Sequence, residues 1–364
     1  MFKKFIATLL ITALMVVPVY ANDAELPTPE RIPYNVAVRG AVRDLATLTA
    51  LDDAIEDLQD IRDDLRSLLE LRRVSGTLTR PEESEMERQL ANLLAQINTM
   101  RANQEMIRIS TEFAMRNSMT TINNTLLDLH LLEATIAHGK NALDMAQLRF
   151  NAGLISESDL RSQELALQQQ ESQLATLQVM LESERQALNT VLQRPLTGYF
   201  YVYYQQELID LPEDLNAHIR RVAPQAPNVR QRDITLSRAR AYLNDVNLDF
   251  GSPVRQERER ARNQAERERN ETLRNVETAM RNHYNALTAL LHSNESLQID
   301  LERATNLYET VQLNYQAGLA AQFNLEEARL GVLNAENAIQ RNVNTFWNMQ
   351  FMFENPFLLA QQAQ

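Results

Sequence analysis

Apolar residues recur at every seventh position over two long stretches of the chain. The first stretch runs up to Gly153 and resumes beyond it, at Ile122, Leu129, Ile136, Leu143 and Phe150 and then at Leu160, Leu167, Leu174, Leu181 and Leu188. The second does the same around Gly318, at Leu287, Leu301, Tyr308 and Tyr315, with Asn294 as a polar break, and then at Leu325, Val332, Ile339, Phe346 and Phe353. A sustained seven-residue apolar repeat is typical of helices that pack as left-handed coiled coils. The pattern therefore predicts a mainly α-helical protein built from two tandem repeats.

The positions of the prolines predict how long these helices are. No proline occurs between Pro81 and Pro195, and none occurs between Pro253 and Pro356. Because proline interrupts helix interiors, these intervals permit helices of about 65–70 residues, on the order of 100 Å long. Turn sequences that combine glycine and proline precede both intervals, RRVSGTLTRPEE at 72–83 and DFGSPVR at 249–255. We expect long antiparallel hairpins whose two kinds of turn lie at opposite ends of a rod.

One short motif occurs twice, as RFNAGLISESDL at 149–160 and as NYQAGLAAQFNL at 314–325. Each copy places a glycine, Gly153 or Gly318, between two heptad stretches. Glycine readily adopts the left-handed conformation that ends a helix, and Ser156, Ser158 and Asp159 are typical of the start of the next one. Each copy therefore predicts a hairpin tip at which one helix ends and an antiparallel helix begins.

The segment between the repeats differs from both of them. GYFYVYY at 198–204 is rich in the aromatic and β-branched residues that favour a strand. We interpret this region as a small α/β belt around the middle of the rod, the alternative being a plain linker. The predicted segments are a signal peptide at 1–21, an extended arm at 22–34, the first repeat at 35–194, the belt at 195–227, the second repeat at 228–355 and a tail at 356–364.

The first 21 residues, MFKKFIATLLITALMVVPVYA, predict export from the cytoplasm. Two lysines precede an apolar run and a small-residue cleavage site, as in a secretory signal, with an uncleaved anchor as the alternative. The chain is acidic, with a formal net charge of −12, which argues against nucleic acid as a partner. It has no cysteine, which excludes disulfides and thiolate sites. We expect a location in the periplasm or cell envelope, without a span after signal cleavage.

An enzymatic function is not predicted. The five histidines do not form a metal-ligand pattern, and neither a phosphate-binding glycine loop nor a recognised catalytic motif is present. We therefore expect neither a metal nor another cofactor.

The repeated tip motif, with long helices rich in Ala, Gln and Leu on its C-terminal side, resembles the TolC-type outer-membrane efflux channels. The matching segments are 149–192 and 314–353, and residues 228–246 are similar to the start of that family's second repeat. The resemblance implies a homotrimer whose hairpins form one hollow α-helical barrel. It also implies that the Gly153 and Gly318 tips face a periplasmic adaptor protein and an inner-membrane pump.

The chain departs from the family at the opposite end, where strands of a transmembrane β-barrel are expected. Residues 72–83 are too short for two membrane-spanning strands, and six arginines lie between Arg255 and Arg269. The Glu and Arg pattern there is instead typical of a solvated helix. We therefore predict a trimeric α-barrel without its own membrane barrel, with a separate outer-membrane protein at that end. The alternative is a non-conducting coiled-coil spacer or scaffold of the cell envelope.

The resemblance also implies candidate residues at the tips. A tyrosine in the second tip would bond to the acid of the first, which here are Tyr315 and Asp159. Pore-lining acids would fall at Asn324 and Glu327, of which Asn324 departs from the pattern, and Ala320 occupies the position of a latch arginine. The alternative is purely structural, with Asp159 as a first-turn acid and Tyr315 as a heptad core residue.

Overall fold

A computed structural model describes residues 30–43, 45–196, 200–203, 208–243 and 253–361. The predicted signal peptide and most of the predicted N-terminal arm lie outside these residues, as do part of the belt and the end of the tail. The segment 244–252, which holds most of the second glycine-proline turn, lies outside them as well.

Four helices lie in the described part of the first repeat. They are α1 (Tyr34–Arg43), α2 (Ala46–Val74), α3 (Arg80–Asn151) and α4 (Glu157–Val191). Helix α3 has 72 residues and is therefore about 110 Å long. Its start is stabilised by a capping box in which Thr79 and Glu82 satisfy each other's backbone, with Pro81 in the first turn.

The second repeat has the same long pair after a group of short elements. The short elements are α5 (Leu215–Val222), a 3₁₀ turn (Ala223–Gln225) and α6 (Pro227–Leu243). The long pair is α7 (Pro253–Gln316) and α8 (Gln322–Glu354), and the short α9 (Phe357–Gln361) follows it. Helix α7 has 64 residues, so it is about 100 Å long. The mainly α-helical fold with long antiparallel hairpins is confirmed, and α7 begins in the Arg- and Glu-rich segment, as the charge pattern predicts.

The long helices lie side by side in a layer. In the half of the rod near the tips, α3 packs against α4 and α8, and α8 also packs against α7. In the other half, α3 packs against α2 and α6, and α6 packs against α7. Helices α2 and α4 therefore form one lateral edge of the layer, and α7 forms the other.

The best-packed core lies at the middle of the rod. One cluster joins the 3₁₀ turn to α7 and α8 around Val276, Met280 and Phe346, each less than 1% exposed. A second cluster contains Met115 from the middle of α3. In this second cluster β1 (Glu30–Pro33) pairs in parallel with β2 (Phe200–Tyr203). The short strand predicted within 198–204 is therefore present, and its partner comes from the end of the predicted N-terminal arm.

Apart from the exposed Tyr315, the apolar heptad positions are buried or half-buried between neighbouring helices. Buried members include Leu129 and Ile136 on α3, Leu181 on α4 and Ile339 on α8. Many of the others, among them Leu167 on α4, are half-buried. The stripes thus supply the packing that their period predicts, but in a single copy of the chain they are only partly covered.

Candidate functional site at the hairpin tips

The two tips share one backbone geometry. Gly153 has φ of 70° and Gly318 has φ of 73°, so both lie in the left-handed region that favours glycine. In the first tip the backbone N–H of Leu154 donates to the carbonyl of Arg149 over 2.8 Å, and in the second the N–H of Leu319 donates to the carbonyl of Asn314 over 2.7 Å. This 6→1 hydrogen bond is characteristic of the Schellman motif, which ends a helix.

The helices that leave the two tips begin differently. In the first tip the Ser156 hydroxyl donates to Oδ2 of Asp159 over 2.7 Å and accepts from the Asp159 backbone N–H. Hydrogen bonds from the Ser156 side chain and backbone also lower the pKa of Asp159 below its usual value. In the second tip Ala321 occupies the N-cap position and offers no side-chain cap. The first tip therefore has a closed capping box at a position where the second has none.

Both tips expose leucines at equivalent positions. Leu154 and Leu319, which directly follow the turn glycines, are 74% and 79% exposed. Leu148 and Leu313, on the last turn of the incoming helices, are 70% and 66% exposed. Each tip therefore presents an apolar pair to its surroundings, and the two pairs are related by the same 165-residue offset as the glycines.

The structure brings the proposed latch residues to the same end of the rod but does not join them within one copy. Asp159 accepts a hydrogen bond from Ser156, as expected of a first-turn acid. Tyr315 is 41% exposed and is therefore not a buried core residue in one copy. Among the described residues, no hydrogen bond connects Tyr315 to Asp159. A latch between these two side chains, within or between copies, remains a prediction.

The other two predicted tip residues lie on the first turns of α8. Asn324 and Glu327 are both exposed. Asn324 occupies the position equivalent to Asp159 in the first repeat. A pore-lining role for either side chain remains a prediction, since it concerns an assembly of several copies.

A cluster that the sequence did not reveal joins the two repeats just behind the tips. The ring of His138 on α3 stacks on Phe323 of α8 with centroids 4.2 Å apart. Next to this stack, the carboxylate of Glu326 accepts a hydrogen bond from the Asn141 side chain over 2.8 Å and another from the Gln322 side chain over 2.9 Å. These two hydrogen bonds lower the pKa of Glu326. The cluster fixes the start of α8 against α3. No sequence signal could pair residues separated by 185 positions.

The described residues contain no group of three or more His, Asp or Glu side chains placed to hold a metal ion. Within the same residues, no helix combines the length and the apolar character needed to cross a membrane.

Comparison with solved structures identifies the fold. The CmeC outer membrane channel of Campylobacter jejuni superposes with a TM-score of 0.66 at 13% identity, over 89% of this chain and 85% of that one. The chain has the fold of the outer-membrane channels. The outer-membrane channel OprN matches with a TM-score of 0.64 at 13% identity, over 89% of both chains. CusC, whose structures follow transmembrane channel formation, matches with a TM-score of 0.64 at 10% identity, over 89% of this chain and 91% of that one.

The channel fold agrees with the resemblance to TolC-type channels that the repeated tip motif indicates, and the matched proteins are channels rather than enzymes. No protein-family model and no curated protein sequence matches the chain. At 10–13% identity the likeness concerns the arrangement of the helices and not the individual side chains.

Proposed function

We propose that the chain is the helical conduit component of an efflux or secretion assembly in the cell envelope, and that it works as a homotrimer. The observation that carries this proposal is the open layer of long helices. A single copy leaves α2 and α4 free along one edge and α7 free along the other, with half-buried heptad residues along the rod. A ring of copies would join the two edges and enclose a lumen, as the channel fold suggests.

The tips would be the docking end of this conduit. Leu148, Leu154, Leu313 and Leu319 form two equivalent apolar pairs, which suit a partner that binds the two hairpins in the same way. By the resemblance, that partner would be a periplasmic adaptor protein, with an inner-membrane pump beyond it. Asp159, Tyr315, Asn324 and Glu327 would set the aperture at this end.

At the other end the chain would rely on a separate outer-membrane protein rather than on a membrane barrel of its own. Helices α2 and α3 are joined there by a short turn between Val74 and Arg80. Helix α7 begins with a solvated segment in which Arg255 pairs with Glu259. Neither feature suits a membrane-spanning strand.

The mass of the assembly tests the proposal first. The chain from Asn22 onward is purified without detergent, measured by light scattering and imaged by electron microscopy. A trimer with a central lumen is expected. A monomer, or an oligomer without a lumen, would overturn the conduit and leave the spacer or scaffold of the envelope.

The docking role of the tips needs its own variants. Leu154→Ser combined with Leu319→Ser should abolish co-purification with the adaptor without changing the oligomer. Val179→Ser is the matched control, because Val179 is 71% exposed but lies on α4 about 39 Å from Gly153. Docking at the tips would be contradicted if Val179→Ser reduced co-purification as much as the double variant does, or if the double variant did not reduce it.

A further inference from the structure

The free edge of α7 carries a regular stripe of arginines. Arg260, Arg267, Arg274 and Arg281 recur at every seventh position, and all four are exposed. Most other arginines in this part of α7 have partners, as Arg269 has in Asp233 at 2.8 Å. Among the described residues, none of the four stripe arginines has a hydrogen bond or an ion pair.

This stripe points away from the rest of its own copy. Successive helix residues are about 100° apart, so positions two or five residues from a buried one lie on roughly the opposite side. Arg267 is two residues after the buried Ala265, and Arg260 is five before it. Arg274 is two residues before the buried Val276, and Arg281 is five after it. Since Ala265 and Val276 are buried against the copy's own helices, the arginines face outward along the edge of the layer.

The opposite edge, formed here by α2, carries the complementary charge. This helix contains eight acidic residues and four arginines. The exposed acids Asp53, Asp57, Asp60 and Asp64 have no hydrogen bond or ion pair within the part of the chain that the structure describes. Asp53 and Asp57 lie two residues on either side of the buried Ile55, and Asp60 lies five beyond it. These aspartates therefore also face outward, away from α3.

The two stripes lie at the same height along the rod, as a series of contacts across the layer shows. Asp52 on α2 accepts from Gln104 on α3 over 2.6 Å. The neighbouring Asn103 accepts from Gln231 on α6 over 2.5 Å, and two residues further along α6, Asp233 accepts from Arg269 on α7.

The direction of the helices then sets the register. Helix α2 runs antiparallel to α3, and α7 runs parallel to α3. Towards the end of the rod opposite the tips, residue numbers therefore rise along α2 and fall along α7. Asn103 precedes Gln104 by one residue and Asp233 follows Gln231 by two, so Arg269 lies about three residues further from the tips than Asp52. Asp57 lies five residues beyond Asp52, and Arg267 lies two residues before Arg269, so the two side chains are at the same height. The same step of seven residues brings Asp64 to the height of Arg260.

One copy cannot join these stripes, because α3 and α6 lie between α2 and α7. We propose that Asp57 and Asp64 of one copy face Arg267 and Arg260 of the next copy, and that this contact sets the register of the ring. The inference rests on the proposed ring assembly. In a ring related by rotation about an axis along the helices, every residue keeps its height, so the stripes meet in register without an axial shift.

The stripes determine which edges meet rather than supplying most of the affinity. Exposed ion pairs are individually weak and are screened by salt, whereas like charges facing each other oppose association. Two α2 edges or two α7 edges would each place like charges together. The charge pattern therefore favours head-to-tail contacts, which close into a ring, over contacts between identical edges.

Cysteine cross-linking tests this contact directly, since the chain has no native cysteine. The full chain with Asp57→Cys and Arg267→Cys is treated with a short bis-maleimide and analysed by denaturing electrophoresis. A ladder that ends at the trimer is expected. The matched control is Asp57→Cys with Arg281→Cys, whose second cysteine is displaced by fourteen residues, about 21 Å, and should not cross-link.

The outcomes separate this contact from the ring itself. If light scattering shows a trimer but the variant with Asp57→Cys and Arg267→Cys cross-links no better than the control, the contact is overturned and the conduit proposal stands. If light scattering shows a monomer, both are overturned.

Charge reversal provides an independent measurement. Asp57→Arg with Asp64→Arg, or Arg260→Asp with Arg267→Asp, should each raise the protein concentration needed for trimers by about tenfold or more. Combining all four substitutions in one chain should restore assembly, because the edges become complementary again. All these residues are exposed, so circular dichroism should show unchanged helicity. A combined variant as defective as either parent would overturn the proposed pairing.

Discussion

The turn glycine of the first tip can be tested with a substitution whose cost is confined to the backbone. In Gly153→Ala, the new Cβ would meet no atom within 4 Å, so steric overlap contributes nothing. The φ of 70° nevertheless places an alanine in the left-handed region, where a residue with a Cβ costs roughly 1–2 kcal/mol. We therefore expect the tip to be destabilised by about 1–2 kcal/mol.

Gly331→Ala is the matched control for this variant. Gly331 lies inside α8 and is exposed, and a Cβ there would also meet no atom within 4 Å. Because alanine is the better helix former, this substitution should stabilise α8 by about 0.5–1 kcal/mol. The same chemical change thus has opposite signs at two open positions, and only the backbone conformation differs.

Hydrogen exchange measured by mass spectrometry is the appropriate assay, since a turn at the end of a rod opens locally before the whole chain unfolds. Peptides that cover the last turn of α3 and the first turn of α4 should exchange about five- to thirtyfold faster in Gly153→Ala. Peptides of α8 should exchange more slowly in Gly331→Ala. Unchanged exchange at the tip, or slower exchange in both variants, would refute the conformational argument.

Three further predictions concern the core, an acidic cap and a cation held between aromatic rings. Phe346→Ala should lower the free energy of unfolding by about 3–5 kcal/mol in urea titrations, because its side chain is less than 1% exposed, and a loss below about 1 kcal/mol would contradict tight packing there. Hydrogen bonds from the backbone and side chain of Thr79 lower the pKa of Glu82 from 4.5 to about 2. The ionised Glu82 carboxylate therefore stabilises the fold fully above pH 4.5, and this stabilisation declines as the pH falls towards 2. The difference in urea midpoint between the wild type and Glu82→Gln should therefore shrink over that range, and a constant difference would contradict the shift. The Arg116 guanidinium lies 4.2 Å from the ring centroid of Trp347, so Arg116→Gln should change the fluorescence of this single tryptophan and cost about 1 kcal/mol, whereas unchanged emission would argue against the contact.

The tip turns illustrate what could be read from the sequence. Each depends on a glycine at the end of a heptad stretch and on hydrogen bonds between residues five positions apart, so the information is local. The role of Asp159 as a cap is local in the same way, since Ser156 lies only three residues before it. The parallel pairing of β2 with β1 could not be predicted from the sequence in this way, because the strands are about 170 residues apart.

The cluster behind the tips could not have been found without the tertiary structure. His138 and Phe323 lie on different repeats. His138 lies outside the repeated motif, and Phe323 takes the place of Ser158 in the first copy, so the motif does not link the two residues. Their contact depends on how α8 packs against α3. Heptad spacing shows that a helix has an apolar face but does not show which other helix covers it.

The sequence alone determined the lengths of the two longest helices, the turns at the two tips and the duplication of the tip motif. These properties depend on backbone hydrogen bonds and on side-chain period, both of which act over a few residues. Only the tertiary structure decided the order of the helices across the layer. That order places the aspartates of α2 and the arginines of α7 on opposite edges, because contacts between residues far apart in sequence determine which helices become neighbours and which faces remain free.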